Sequence, residues 1–122
     1  MTLMEQARAV AKKSHSPYSH YAVGAAVRWE DETVTVGTNV ENASYGLTQC
    51  AERSAVTAGV SAGLRKIIKV AIWVDDEKPA TPCGACRQVL HEFSSEQGVL
   101  VQVGNPQDVI EYSLADLLPK AF

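Results

Sequence analysis

The amino-acid sequence predicts an α/β fold in which a mixed five-stranded sheet carries helices on both faces. Three observations lead there. The chain has 122 residues, 46% of them apolar and 20% charged, which suits one compact domain with one core, since globular domains run to about 100–150 residues. Apolar residues repeat with the helical period in some stretches and the strand period in others, in the order α-β-β-α-β-α-β-β-α, and this alternation implies parallel pairing through the middle with helices on the sheet faces. The stretch Gly104–Asp108 between the last two strands is too short for a parallel crossover, so that pair is expected to be antiparallel.

The first helix is expected over residues 3–13, because Thr2 and Glu5 form a capping box and Leu3, Ala7, Val10 and Ala11 share one face. Pro17 lies in the polar segment that follows. Residues 21–29 and 33–38 are rich in β formers and flank the acidic stretch Glu30-Asp31-Glu32, as a hairpin would. Residues 39–49 have mixed polarity and contain Gly46, so they are expected as a loop. A second helix is expected from about Cys50 to Ala62, where Gly63 stops it, followed by a buried strand over 67–74 that Asp75 and Asp76 bound. A loop at 79–82 leads to a third helix over 84–95, strands over 99–103 and 109–112, and a last helical turn at 114–118 before Pro119. On the second helix, Ala51, Ala55, Ala58 and Ala62 form a narrow stripe opposite Val56 and Val60. Such a helix suits close packing on two sides, one against the sheet and one against a neighbouring subunit.

Several function classes are excluded by composition. The longest apolar run, Ala22–Val27, falls far short of the ~20 residues a membrane helix needs. Residues 1–13 carry charges at helical spacing and no secretion signal, so a cytoplasmic location is expected. The net charge is −3 with no cluster of Lys and Arg, which argues against a nucleic-acid partner and for a small substrate. Three cysteines make an odd number, two of them in Cys83-Gly-Ala-Cys86, so metal or redox chemistry fits better than a disulfide framework.

Cys50 starts the second helix, and Cys83 and Cys86 flank the start of the third. The three can therefore meet where two helix N-termini favour thiolates. Zinc suits this donor set, and three protein ligands leave the open position of a catalytic rather than a structural site. Of the histidines, His91 falls on a different helix face from Cys86, while His15 and His20 lie in a polar loop, so none is expected to ligate. Zinc lowers the pKa of a bound water, and Glu52 would then move protons. Residues i and i+2 share no helix face, so Cys50 must stand outside the regular helix for Glu52 to reach the same site. Three thiolates on one dication leave a net charge of −1, which Arg53 is placed to offset by donating to sulfur; Arg87 is a second candidate.

On these residues the sequence resembles the cytidine deaminases, the small homotetrameric zinc type of the cytidine/deoxycytidylate deaminase superfamily. The likeness runs almost end to end and rests on Ser16-Pro-Tyr-Ser-His-Tyr-Ala-Val-Gly-Ala-Ala26, Asn39-Val-Glu-Asn-Ala-Ser-Tyr-Gly46, Cys50-Ala-Glu-Arg53, Pro82-Cys-Gly-Ala-Cys-Arg-Gln88 and Leu117-Leu-Pro-Lys-Ala-Phe122. It implies a three-layer cytidine deaminase-like fold, one zinc per chain on Cys50, Cys83 and Cys86, and hydrolytic deamination of cytidine and 2′-deoxycytidine in pyrimidine salvage, with Glu52 as proton carrier. It further implies that Asn39 and Glu41 hold the ribose 3′-hydroxyl and that the Ala51 N–H meets the pyrimidine O2. Tyr21 stands where the family usually has Phe; its ring suits contact with the base, and its hydroxyl then needs a polar neighbour. Tyr45 and Phe122 would complete active sites shared across subunits of a homotetramer.

Other readings compete. A modified cytosine nucleoside as substrate is disfavoured by the Asn39 and Glu41 pair, and bases in a DNA or RNA strand by the absence of a basic groove. A zinc-stabilised interaction module would need a fourth protein ligand and a dispensable Glu52.

Overall fold

The computed structural model describes residues 1–122. Helix α1 (Leu3–Ala11) precedes strands β1 (Val23–Trp29) and β2 (Val34–Thr38), then come helix α2 (Ala51–Ser61), strand β3 (Ile67–Val74), helix α3 (Gly84–Glu92), strands β4 (Leu100–Gly104) and β5 (Val109–Ser113) and the short helix α4 (Leu114–Leu117). The five strands form one mixed sheet in the order β2-β1-β3-β4-β5. β3 and β4 are parallel, as the alternation of strands and helices predicts, and β4 and β5 antiparallel, as their short connection predicts. One expectation is corrected: β2 and β3 run in the same direction across α2 but are not paired, because β1 lies between them and is antiparallel to both. β1 thus occupies the place beside β3 that β2 would have taken.

Period-2 alternation sorts the core into two layers. Ala25, Val27 and Trp29 of β1 and Val70 and Ile72 of β3 point to one face, where they pack with Ala55 and Val56 of α2 and Leu90 of α3. Ala26, Ala71 and Trp73 point to the other, against Leu3, Ala7 and Ala11 of α1. α1 lies so close to β1 that a Cβ on Gly24 would stand 2.0 Å from the Ala7 carbonyl oxygen.

Tertiary pairing sets three details that periodicity does not. α1 ends at Ala11 rather than residue 13, since the chain tightens there and His15 then donates its N–H to the Asn39 carbonyl at 3.2 Å. α3 ends at Glu92 rather than residue 95. Beyond it the backbone joins the start of β3, with Ile67 N–H donating to Phe93 O and Ser95 N–H to Ile67 O, while the Ser94 hydroxyl bonds the His91 carbonyl at 2.8 Å. On α2 the alanine stripe divides: Ala51 and Ala55 are buried with Val56 and Gly59, whereas Ala58 and Ala62 are exposed. Gly59 is where the Trp29 indole rests, and its missing side chain leaves that ring its place.

Candidate active site

The sulfurs of Cys50, Cys83 and Cys86 lie within 4.8 Å of one another. Cys50 is the N-cap of α2, with φ −73° and ψ 153°, and Cys83 is the N-cap of α3, with φ −66° and ψ 168°. Both are therefore extended, as the geometry of Glu52 requires, and Cys86 follows in the first turn of α3. Two helix N-termini thus aim their partial positive charge at one sulfur cluster. Cys83 Sγ and Cys86 Sγ are 3.5 Å apart. Thiolates held at the usual ~2.3 Å from a tetrahedral zinc stand about 3.8 Å from each other, so small rotations bring all three to ligating distance. No His, Asp or Glu joins the cluster, and His15, His20 and His91 are exposed. The donor set fits zinc with one position left open.

Charge around the sulfurs is arranged to match. Arg53 donates from Nη2 to Cys50 Sγ at 3.2 Å, and its guanidinium is held more firmly protonated than usual by that bond. Its Nε is buried without a hydrogen-bond partner. The Cys50 thiol is pulled down to about 5, first by hydrogen bonding with Cys86 and then by Arg53, while Cys86, which gives that bond from a buried position, is pushed up. A zinc ion held by these three residues would replace such thiol protons. Arg87 does not serve the sulfurs. It donates instead to the carbonyls of Pro82 and Leu117, both at 2.7 Å, and to Thr81 Oγ1 at 3.2 Å, tying the loop before α3 to α4.

Glu52 is 6% exposed, and burial pushes its carboxyl above the ordinary glutamate value, with the Cys50 charge adding to the shift. It lines a cavity of about 250 Å³ together with Tyr21, Asn39, Cys50 and Ala51. The rest of that wall, Val23 of β1 and Ile72 and Val74 of β3 among it, is largely apolar and does not stand out in the sequence, because alternating strand residues look alike whether they face core or cavity. The volume lies just below the ~300–1,000 Å³ of drug-sized sites, which suits a small molecule.

The rim is zipped by the segment 14–21 lying along 39–41. Asn39 is buried; its Oδ1 accepts from the Val23 N–H at 3.0 Å and from the Ser14 hydroxyl, and its Nδ2 donates to the Tyr21 carbonyl at 2.7 Å, leaving one amide hydrogen free. Glu41 stands just outside the cavity. Its Oε1 accepts from the N–H groups of Tyr18 and Ser19, at 3.0 and 3.1 Å, and its Oε2 from the Ser19 hydroxyl. These bonds, that of the Ser19 side chain first, hold the carboxyl below the usual glutamate range. The Tyr21 hydroxyl has no protein partner, and burial pushes it upward. Tyr45 and Phe122 are 90% and 105% exposed, and neither lines the cavity of its own chain. Ser14 and Ser19, whose hydroxyls hold Asn39 and Glu41, were passed over by sequence reasoning, as nothing distinguishes two hydroxyls in a polar loop.

A sheet that brings three thiols and a buried carboxylate to two helix N-termini beside a small cavity defines a zinc-dependent deaminase. The model of the cytidine and deoxycytidylate deaminase zinc-binding region matches residues 1–102. The cytidine deaminase of Halalkalibacterium halodurans is 43% identical over 121 residues, 98% of this chain and 91% of the relative. Among solved structures, cytidine deaminase from Burkholderia pseudomallei is 44% identical with a TM-score of 0.93 over 100% of both chains. The Mycobacterium tuberculosis cytidine deaminase is 41% identical with a TM-score of 0.84, over 98% of this chain and 94% of that one. The chain belongs to the cytidine and deoxycytidylate deaminase family.

Proposed function

We propose that Glu52 carries the protons in the reaction this enzyme catalyses, the zinc-dependent hydrolytic deamination of cytidine to uridine. The observation that bears the proposal is the burial of this carboxylate at the cavity wall beside the three-thiol cluster. Cytidine and water give uridine and ammonia. Cys50, Cys83 and Cys86 hold one zinc per chain, which supplies the Lewis acidity that makes water a nucleophile near neutral pH. Glu52 takes the proton that water loses as it adds to C4 and passes it to ring N3. It then takes the remaining proton from the C4 hydroxyl and delivers it to the amino group, so that the C4–N4 bond breaks as the C4 carbonyl forms, and ammonia leaves. Ala51, first residue of α2, has an N–H with no intrahelical partner and offers it to the pyrimidine O2. Asn39 and Glu41 take the ribose 3′-hydroxyl, each with hydrogen-bonding capacity left over from its structural bonds. Tyr21 lies against the base.

The reading extends to 2′-deoxycytidine, to a role in pyrimidine salvage in the cytoplasm, and to one catalytic domain spanning 1–122. No helix is long and apolar enough to cross a membrane. We further propose a homotetramer in which Tyr45 and Phe122 complete neighbouring sites. Ultraviolet assay of cytidine loss, taken with zinc-to-chain stoichiometry, is the test. Glu52→Gln is expected to retain zinc and lose at least ~10⁴-fold in kcat, the upper end for acid–base catalysis, because one group serves several transfers. Zinc retention with near-normal turnover removes Glu52 from the role.

A further inference from the structure

We infer that Ser19 is a positioning residue for nucleoside binding, through one hydroxyl that couples the Glu41 carboxylate to the backbone of Tyr21. The inference rests on the reading above, in which Glu41 takes the sugar and Tyr21 lies against the base. Ser19 donates its hydroxyl hydrogen to Glu41 Oε2, and the same oxygen accepts the Tyr21 N–H at 3.0 Å. On the other side the Tyr21 carbonyl accepts from Asn39 Nδ2 at 2.7 Å. The peptide groups flanking the ring are thus pinned from both directions. Between Ser19 and Tyr21 stands His20 with φ 56°, in the left-handed region, which turns the chain back so that the Tyr21 N–H meets the serine. A residue with a side chain stays in that region where its surroundings over-determine it, and here the His20 N–H is also held, by the Ser16 carbonyl at 2.9 Å.

The consequence is specific. Glu41 Oε1 is occupied by the two N–H groups of Tyr18 and Ser19, so Oε2 is the oxygen with capacity to spare, and the serine hydroxyl sets its direction. Without the hydroxyl, Oε2 is free to swing about the pinned Oε1, and Tyr21 loses its N–H partner at the same time. Ser19 is exposed, so its removal leaves the core untouched.

The experiment compares zinc-loaded wild type, Ser19→Ala, Ser19→Thr and Glu41→Ala, each assayed for zinc content and for steady-state kinetics on cytidine and on 3′-deoxycytidine. Ser19→Ala is expected to raise KM for cytidine about tenfold, the scale of a hydrogen bond to a charged group, with a much smaller change in kcat. The analogue has no hydroxyl for Glu41 and is affected less, so the preference for cytidine narrows. Ser19→Thr keeps the hydroxyl and is expected to restore both values. Wild-type KM and preference in Ser19→Ala, with Glu41→Ala impaired, overturns the role of Ser19 alone. A threonine variant as impaired as the alanine one overturns the hydroxyl as the cause. Undiminished binding in Glu41→Ala overturns the reading of Glu41 itself.

Discussion

Arg53 shows how one side chain stabilises an arrangement that three thiolates would otherwise disfavour. Its Nη2 meets Cys50 Sγ at 3.2 Å and no carboxylate forms an ion pair with it, so the cation faces the sulfurs. Arg53→Ala removes that donor and leaves the ligands more electron-rich. Metal affinity is expected to fall about 10–100-fold, the usual cost of losing an outer hydrogen bond to a metal ligand, read by competition with a chelator. The more negative centre makes its water less acidic, so the rising limb of activity against pH moves upward. An unchanged limb and affinity would mean that the two helix N-termini suffice. Tyr21 calls for the opposite expectation. Its hydroxyl has no protein partner, whereas its backbone is held by Ser19 and Asn39. Tyr21→Phe is therefore expected to leave kcat/KM for cytidine within about threefold, because the ring does the packing, and Tyr21→Ala to lower it by far more.

At the scale of elements, close approach and capping explain where the helices sit. A Cβ on Gly24 would meet backbone of α1 at Ala7 and Ala11, and backbone cannot swing aside as a side chain can. Gly24→Ala is expected to destabilise the fold by about 3 kcal/mol or more, the upper end for overpacking, seen as a lower denaturant midpoint. Capping of α1 carries a pH signature: Thr2 hydrogen bonds, backbone first, hold the Glu5 carboxyl below its ordinary value. A carboxyl depressed in the folded state adds stability above its unfolded pKa of about 4.3, and that contribution is lost as pH falls through the lower folded value. Glu5→Gln is expected to flatten the acid limb of melting temperature in that window and to leave other changes with pH unaltered. The strands, the helices and the antiparallel last pair were legible in the sequence because burial imposes the periods 2 and 3.6. The three cysteines were legible because few donor sets suit zinc, and Glu52 because it follows Cys50 by two residues. Less visible were features decided between elements. Alanine gives no polarity contrast, so Ala58 and Ala62 could not be told from Ala51 and Ala55, and the insertion of β1 beside β3 depends on register rather than on local pattern. Arg87 lies next to a zinc ligand in sequence yet serves loop carbonyls, a choice made by where its guanidinium reaches in space.

For the whole molecule, the exposed aromatic and aliphatic side chains are the remaining question. Tyr45 and Leu47 project from the segment just before the cavity residues Thr48 and Gln49, and Phe122 ends the chain fully exposed. Large apolar side chains left exposed in this way suit burial against another copy, and the exposed small residues Thr57, Ala58, Ser61 and Ala62 give α2 an outer face that tolerates close packing. In the proposed homotetramer a neighbour's Phe122 stacks on the base that Glu52 serves. Deleting Phe122 leaves the core of its own subunit intact, so zinc content and melting temperature are expected to stay close to those of the full chain. Base stacking on an aromatic side chain is worth ~1–3 kcal/mol, which corresponds to a rise in KM of roughly 5- to 150-fold with a lesser effect on kcat. Kinetics of the chain ending at Ala121, measured beside its mass by light scattering, separate the outcomes. A tetramer with raised KM supports the shared site, and a monomer with raised KM makes Phe122 an assembly contact instead. A tetramer that binds cytidine as well as the full chain does assigns Phe122 no part in the pocket.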